Sequence, residues 1–272
     1  MPSNRIIFFD TTLRDGEACL GPGFDLQARV ELAHLLAEMK VDVIEAGYPG
    51  ATEQGFDGVR AVGKSVRGVT IAALCRSSRP DIELTARALE GASKPRIHTY
   101  YPTSGSRPEE IIEKSAQAVT WARTFIDDVE FSPMDASRTR PEFLVQVVEA
   151  AIQAGAATVS IPDTASSAGP EEFAGLIRRL KDQVPGIERT VLSVHCHDER
   201  DLAVENSLAA VSAGARQIEC TINGIGERAG NASLEPLVRA LRSRPEFSGF
   251  YTGVDLSRFP AIQAKVAALP SS

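Results

Sequence analysis

His195-Cys196-His197 puts two imidazoles two residues apart at the end of an apolar, β-rich run. On a strand such residues share a face, so both rings point one way and Cys196 the other. Two imidazoles on one face can share a borderline divalent cation. Read alone, the triplet is equally a pair of hydrogen-bonded core histidines. A carboxylate changes the balance: Asp10-Thr11-Thr12-Leu13-Arg14-Asp15-Gly16-Glu17 follows the first apolar run and sets Arg14 beside Asp15. Asp15, His195 and His197 would form a two-histidine, one-carboxylate set with coordination positions left for water and substrate. Further along, Asn223-Gly224-Ile225-Gly226-Glu227-Arg228-Ala229-Gly230-Asn231 is a glycine-rich loop whose backbone can approach a ligand, with Asn231 available to complete a metal shell. It lacks the strand-turn-helix setting and later acidic residue of a dinucleotide fingerprint. Also on the rim are Glu45 after the second run, Arg76 after the third, His98 in the fourth and Thr164 after the sixth. Each is individually ambiguous, although an ionised Glu45 within an apolar run requires a partner.

These residues need a scaffold that collects strand ends. Eight β-rich runs recur: 6–10, 41–47, 69–75, 96–101, 128–132, 158–162, 190–197 and 217–222. Stretches of helical periodicity separate them, as in LQARVELAHLLAEMK, where Val30, Leu32, Ala33, Leu35, Leu36 and Met39 form an apolar stripe opposed by Arg29, Glu31, Glu38 and Lys40. Proline and carboxylates open several helices, as in Arg79-Pro80-Asp81, Arg107-Pro108-Glu109-Glu110 and Gly169-Pro170-Glu171-Glu172. Eightfold alternation in roughly 250 residues is what a closed α/β barrel, the (β/α)8 TIM barrel, requires, and its chemistry sits at the carboxyl ends of the strands. The expected organisation is a catalytic barrel over residues 1–244 and a short extension over 245–272, whose one amphipathic pattern (259–269) is expected to pack beneath the barrel or fray.

The 29 basic and 36 acidic residues give a net charge of -7 without a basic block, which argues against nucleic acid as a partner. No apolar run approaches the roughly 20 residues that span a bilayer, so no membrane association is expected. The opening residues lack a signal-peptide pattern and the four cysteines form no CxxC pair, so the expectation is a cytoplasmic protein with reduced, mostly buried thiols.

Several motifs, in order, resemble those of the metal-dependent barrel acyltransferases and lyases that include 2-isopropylmalate, citramalate and homocitrate synthases and 3-hydroxy-3-methylglutaryl-CoA lyase. FDTTLRDGE (9–17) is similar to the family's opening signature, IEAGYP (44–49) to its second-strand motif and IPDT (161–164) to its sixth. HCH (195–197) and ECTINGIGERAGNASLE (219–235) resemble the strongest motifs of the synthase branch. The resemblance implies Asp15, His195 and His197 as ligands of Mn2+, Mg2+ or Zn2+, with Asn231 completing or supporting the shell. It implies catalytic roles for Arg14 and Glu45, oxo-acid binding by Thr164 with His98 and Arg76 on the same rim, and acyl-CoA binding by Asn223, Gly224, Gly226 and Gly230. The implied activity is a Claisen condensation of acetyl-CoA with a 2-oxo acid, as in an alkylmalate synthase, carried out by a homodimer or with a lid-bearing second subunit. Two alternatives stay open: a metal-dependent carbon–carbon lyase on the same barrel, and a non-catalytic binding subunit of a split synthase.

Ala18 stands where the synthases usually have Gln, and Met134, within Ser132-Pro133-Met134-Asp135-Ala136, where they usually have Glu. After HCH the usual Asn-Asp-Leu-Gly is Asp198-Glu199-Arg200-Asp201, which adds charge beside the histidines and suggests an oxo acid with a different anionic group. No H-E-S-G-I-H-like lid motif follows Glu235.

Overall fold

The computed structural model describes residues 4–20, 23–104 and 107–269; the outermost residues of both expected segments, 1–3 and 270–272, lie outside this set. Strands β1 (Ile7–Asp10), β2 (Val43–Glu45), β3 (Thr70–Arg76), β4 (Pro95–Pro102), β5 (Val129–Met134), β6 (Thr158–Asp163), β7 (Val191–Cys196) and β8 (Gln217–Cys220) alternate with helices α1 (Leu26–Glu38), α2 (Glu53–Ser65), α3 (Arg79–Ala88), α4 (Pro108–Arg123), α5 (Pro141–Gln153), α6 (Pro170–Gln183), α7 (Ala203–Ala213) and α8 (Leu234–Ser243). The strands pair in parallel in chain order, and β1 pairs with β8 to close the barrel. This is the (β/α)8 architecture that the alternation requires.

The helices begin where the chain supplies caps. Asp25, Thr52 and Ser78 accept the backbone N–H of Ala28, Gly55 and Asp81, and proline opens α4, α5 and α6. The main apolar core lies between strands and helices, around Phe8, Phe131, Phe173, Leu32, Leu36 and Ile71. Inside the barrel the apolar part is small, formed by Phe9, Val43 and Ala72 with Ile7 against them. Polar side chains fill much of the rest. Arg96 donates to Glu130 and Gln217 (both 3.0 Å), and Gln217 donates to Glu130 (2.8 Å) and Ser193 (3.0 Å). Such a layer is tolerable because its members satisfy one another; removing one would strand buried charge. Two residues further along the same strands lie His98, Ser132, His195 and Glu219, so the strand period of two lifts the next polar layer to the mouth.

One expectation needs correction. Arg29, assigned to the solvent face of its helix, is buried: its Nη1 donates to the carbonyls of Leu13 (2.6 Å) and Ala46 (2.8 Å), and its Nη2 pairs with Glu17. It ties α1 to the loops after β1 and β2, a role that helical periodicity does not encode. The extension begins beneath the barrel and then runs along its side. It starts near the barrel's amino-terminal end, where Tyr251 bridges to Arg5 and Asp255 N–H donates to Met39 O (2.7 Å). Helix α9 (Phe259–Ala267) then packs along α1, through a Lys265–Glu31 ion pair, and reaches the loop after β8.

Candidate active site

The first turn after β1 is built by its own polar side chains. Asp10 accepts Thr12 N–H (2.9 Å), Thr12 Oγ1 accepts Ile222 N–H (2.9 Å), and Thr11 donates to Glu45 (2.6 Å). Burial pushes the Asp10 carboxyl up to about 7. The turn delivers Arg14 and Asp15 to the barrel mouth. Arg14 Nε donates to Glu45 Oε2 (2.6 Å) and its Nη1 lies 3.2 Å from Asp15 Oδ2, so one guanidinium spans two carboxylates. Burial, the largest single influence, opposes ionisation of both acids, but Arg14 and the neighbouring donors together outweigh it. Glu45, with help from His98 and Thr11, is held down at about 2, and Asp15, aided by His195 and His197, is held well below the carboxylate range.

His195 Nε2, His197 Nε2 and Asp15 Oδ2 converge. The two nitrogens are 3.2 Å apart, and Asp15 Oδ2 is 3.3 Å from the first and 3.9 Å from the second. Ligands about 2.0–2.2 Å from one ion lie roughly 3–3.5 Å from each other, so the triangle is close to the size a divalent cation needs. The outer edges fit as well. His195 Nδ1 donates to Glu219 Oε2 (2.8 Å), which turns Nε2 toward the common point, and Ser160 donates to the other Glu219 oxygen. Burial disfavours charge on His195, yet Glu219 and Asp15 raise its pKa to about 10; burial and the charged His195 lower His197 to about 4. One proton between two facing nitrogens is the arrangement a cation would replace. Asn231 Oδ1 is buried without a hydrogen-bond partner near this set, and His197 is bridged to Asn231 through the backbone.

A cavity of about 240 Å³ opens over these ligands. Arg14, Asp15, His98, Thr164, His195 and His197 line it, together with Leu74, Tyr100, Met134 and Pro162 on an apolar wall. Glu45 stands behind Arg14 and His98. His98 is engaged at both nitrogens, by Glu45 Oε1 and Ser132 Oγ (2.7 Å each); burial works against its charged form, but Glu45 raises its pKa overall.

Arg76 is elsewhere. It is 61% exposed and bound to Tyr48 and Asp81 outside the cavity. The glycine loop also does other work than lining the cavity. A Cβ on Gly226 would lie 2.0 Å from Asn231 Nδ2, and one on Gly230, where φ is +97°, would lie 2.0 Å from Gly224 O. These glycines let the loop fold tightly around Asn231, while Asn223 donates to Gln263 O on α9. The charged run after HCH is spent on loop contacts: Asp198 accepts Ala203 N–H (2.8 Å), Glu199 pairs with Arg228, and Arg200 donates to Ser167 O (3.0 Å). None of the run 198–201 lines the cavity, so it gives no support for an oxo acid with an extra anionic group.

Sequence reasoning missed Glu219, Ser132, Tyr100 and Glu227. Glu219 and Ser132 carried a usable signal, polar residues at two-residue spacing within apolar strands. The pairing of Glu219 with His195 depends on the β7–β8 register, which sets the two residues opposite each other.

Residues 5–266 match the HMGL-like family. The chain belongs to this family. Among curated relatives, this HMGL-like barrel is 48% identical to a 2-isopropylmalate synthase of Aquifex aeolicus, over 92% of the chain and 50% of that protein. It is 51% identical to one of Gloeobacter violaceus, over 91% of the chain and 48% of that protein. The chain thus spans about half the length of the curated relatives it matches. Solved structures resemble it in fold: a hydroxymethylglutaryl-CoA lyase of Pseudomonas aeruginosa (TM-score 0.80, 20% identity, 98% of this chain and 93% of that one) and the carboxyl transferase domain of Rhizobium etli pyruvate carboxylase (TM-score 0.78, 16% identity, 100% and 49%). At such identities the likeness concerns the fold alone.

Proposed function

We propose that this HMGL-like barrel condenses acetyl-CoA with a 2-oxo acid, as its relatives named 2-isopropylmalate synthase do by name. The observation that carries the reading is the convergence of Asp15, His195 and His197 beside Arg14 under one cavity. A divalent cation held by those three side chains, with Asn231 supporting the shell, would supply Lewis-acid polarisation of the oxo acid's keto group.

Arg14 presents its remaining N–H groups to the cavity and stabilises negative charge that grows on the keto oxygen. Thr164 and the adjacent rim hold the oxo-acid carboxylate. The side chain of the oxo acid lies against Leu74, Tyr100, Met134 and Pro162, and among the described residues no unspent cation stands there, so an uncharged substituent fits best. Glu45 and His98 keep Arg14 and Ser132 in position rather than reaching the cavity as free acids or bases.

The acyl-CoA has a second opening. A groove of about 820 Å³ runs between the loops after β1 and β2, is lined by Ala18, Leu20, Phe24, Tyr48 and Ala51, and shares Arg14 with the cavity as a lining residue. Its volume and apolar walls suit a pantetheine arm better than the tightly packed glycine loop does. Ala18 keeps that route wide where a glutamine would narrow it. A lid-bearing segment, from a second copy in a homodimer or from another polypeptide, would cover the open mouth during turnover.

Free thiol released from acetyl-CoA tests the reading, with pyruvate, 2-oxobutanoate, 2-oxoisovalerate, 4-methyl-2-oxopentanoate and 2-oxoglutarate offered in turn to the Mn2+-loaded protein. Oxo-acid-dependent, chelator-sensitive release is expected, strongest with an uncharged acid. No release with any acid, from protein that binds one cation, would refute a self-sufficient synthase.

A further inference from the structure

At the end of the barrel opposite the mouth, where β1 to β4 begin, lies another cavity of about 520 Å³. It shares no lining residue with the mouth cavity or the groove beside Arg14. Its lining includes five cations, Arg5, Lys40, Arg67, Lys94 and Arg96, and one acid, Asp42. The chain as a whole carries a net charge of -7, so the sign is reversed in this one concave place. A cleft lined by one sign of charge concentrates ions of the other. Asp42 is spent within the wall, with Oδ1 on Arg5 and Oδ2 accepting Phe8 N–H (2.9 Å). Lys40 interacts with Asp255.

The other three cations keep donors in hand. Arg96 is buried, and three acceptors fix its guanidinium: Asp128 takes Nε, and Glu130 and Gln217 take Nη1, each at 3.0 Å. Its Nη2 has no acceptor among the described residues and yet is not sealed from solvent, which leaves the cavity as the space it opens on. Arg67 donates through Nη1 to the last carbonyls of α2, Gly63 O (2.9 Å) and Val66 O (2.8 Å), so it is anchored while its charge has no acid partner. Lys94 makes no ion pair among the described residues, and its carbonyl, accepting Ile71 N–H (2.9 Å), ties its main chain to β3. Arg67 and Lys94 therefore bring two uncompensated positive charges to a pocket whose base is a preset guanidinium.

We propose that the foot of the barrel binds a phosphoryl dianion, held by Arg67, Lys94 and the Nη2 of Arg96. A carboxylate is one planar pair of oxygens with a single charge, and one guanidinium satisfies it. Three cations around one pocket match the several oxygens and double charge of a phosphate group better. The volume lies within the range of small-molecule sites, and Ile7, Val41, Val43 and Val69 offer apolar surface to an organic remainder. The site stands apart from the condensation and does not depend on that reading.

Calorimetric titration with inorganic phosphate, ribose 5-phosphate and ribose tests it, with a chelator present so that no cation at the mouth can take the anion. A phosphate-bearing probe should bind one per chain with a dissociation constant below about 1 mM, and ribose should not bind. Inorganic phosphate binding as tightly as the ester assigns the site to the free anion; an ester at least about tenfold tighter assigns it to a phosphorylated metabolite. Lys94→Glu, on an exposed side chain, should weaken phosphate binding at least about tenfold, the lower end of what one hydrogen bond to a charged group contributes, with circular dichroism and Mn2+ affinity unchanged. Arg14→Gln, at the mouth, should leave phosphate affinity within about threefold of the parent. The proposal is overturned if neither phosphate probe binds at about 10 mM, or if Lys94→Glu binds as the parent does. Loss of binding in Arg14→Gln also overturns it, because the anion then sits at the mouth.

Discussion

Glu219→Gln separates orientation of a ligand from simple packing. The substitution keeps the size of the side chain, and its amide can still accept from His195 Nδ1 while its NH2 faces Ser160, so both contacts survive as neutral hydrogen bonds. What disappears is the negative charge against the imidazole. Glu219 is the largest influence raising His195 toward about 10. Hydrogen bonds to charged groups contribute about 1.5–3 kcal/mol against about 0.5–1.5 for neutral ones, a difference of roughly 1–2 kcal/mol. Loss of an outer carboxylate typically weakens a metal site by about 10–100-fold, or about 1.4–2.7 kcal/mol, which agrees with that difference. Chelator-competition titration with Mn2+ or Zn2+ should therefore show affinity 10–100-fold weaker, with far-UV circular dichroism unchanged. Affinity within about twofold of the parent, in a folded variant, would refute the argument that Glu219 sets the basicity and direction of His195.

Asp15→Asn should abolish chelator-sensitive turnover and weaken cation binding by more than about 100-fold in the same titration, because it removes the one anionic ligand of the triangle. Cation affinity should rise with pH: one proton resides on the histidine pair between about pH 4, where His197 titrates, and about pH 10, where His195 does. A divalent ion must displace that proton, so the apparent affinity should climb about tenfold per pH unit in that window, with about one proton released per ion when calorimetry is repeated in buffers of different ionisation enthalpy. Gly226→Ala would force a Cβ to within 2.0 Å of Asn231 Nδ2, and the loop must shift; a loss of about 1–3 kcal/mol in denaturant unfolding and weaker cation binding are expected. Ala18→Trp should fill the groove beside Arg14 and raise KM for acetyl-CoA at least about tenfold with KM for the oxo acid little changed, as steady-state kinetics would reveal.

The barrel was legible because its period is written locally. Each strand is a short β-rich run, each helix a capped amphipathic stretch, and the parity of His195 and His197 follows from the strand repeat alone. Asp15 could be added because a closed barrel brings β1 within one strand of β7. What could not be read depends on register and on distance in the chain. Glu219 meets His195 because β7 and β8 pair with those two residues opposite, and no local pattern fixes that offset. Arg29 looks like a surface residue on a helical wheel, and only the carbonyls of Leu13 and Ala46, brought over it by two other loops, make its burial tolerable. Arg76 ends β3 in the right place along the chain but bends to Tyr48 and Asp81 instead of the cavity, a choice of rotamer rather than of position.

The same contrast explains how charge is used. Polar residues inside the barrel would ordinarily weaken the fold, yet Arg96, Glu130, Gln217 and Ser193 bond one another in one layer, and Glu45, His98, Ser132, Ser160, Glu219 and His195 do so in the next. Satisfied layers are rigid, and rigidity holds Arg14 and the two imidazoles at fixed distances before any ligand arrives. The price of that rigidity is that almost every acid in the barrel is already committed.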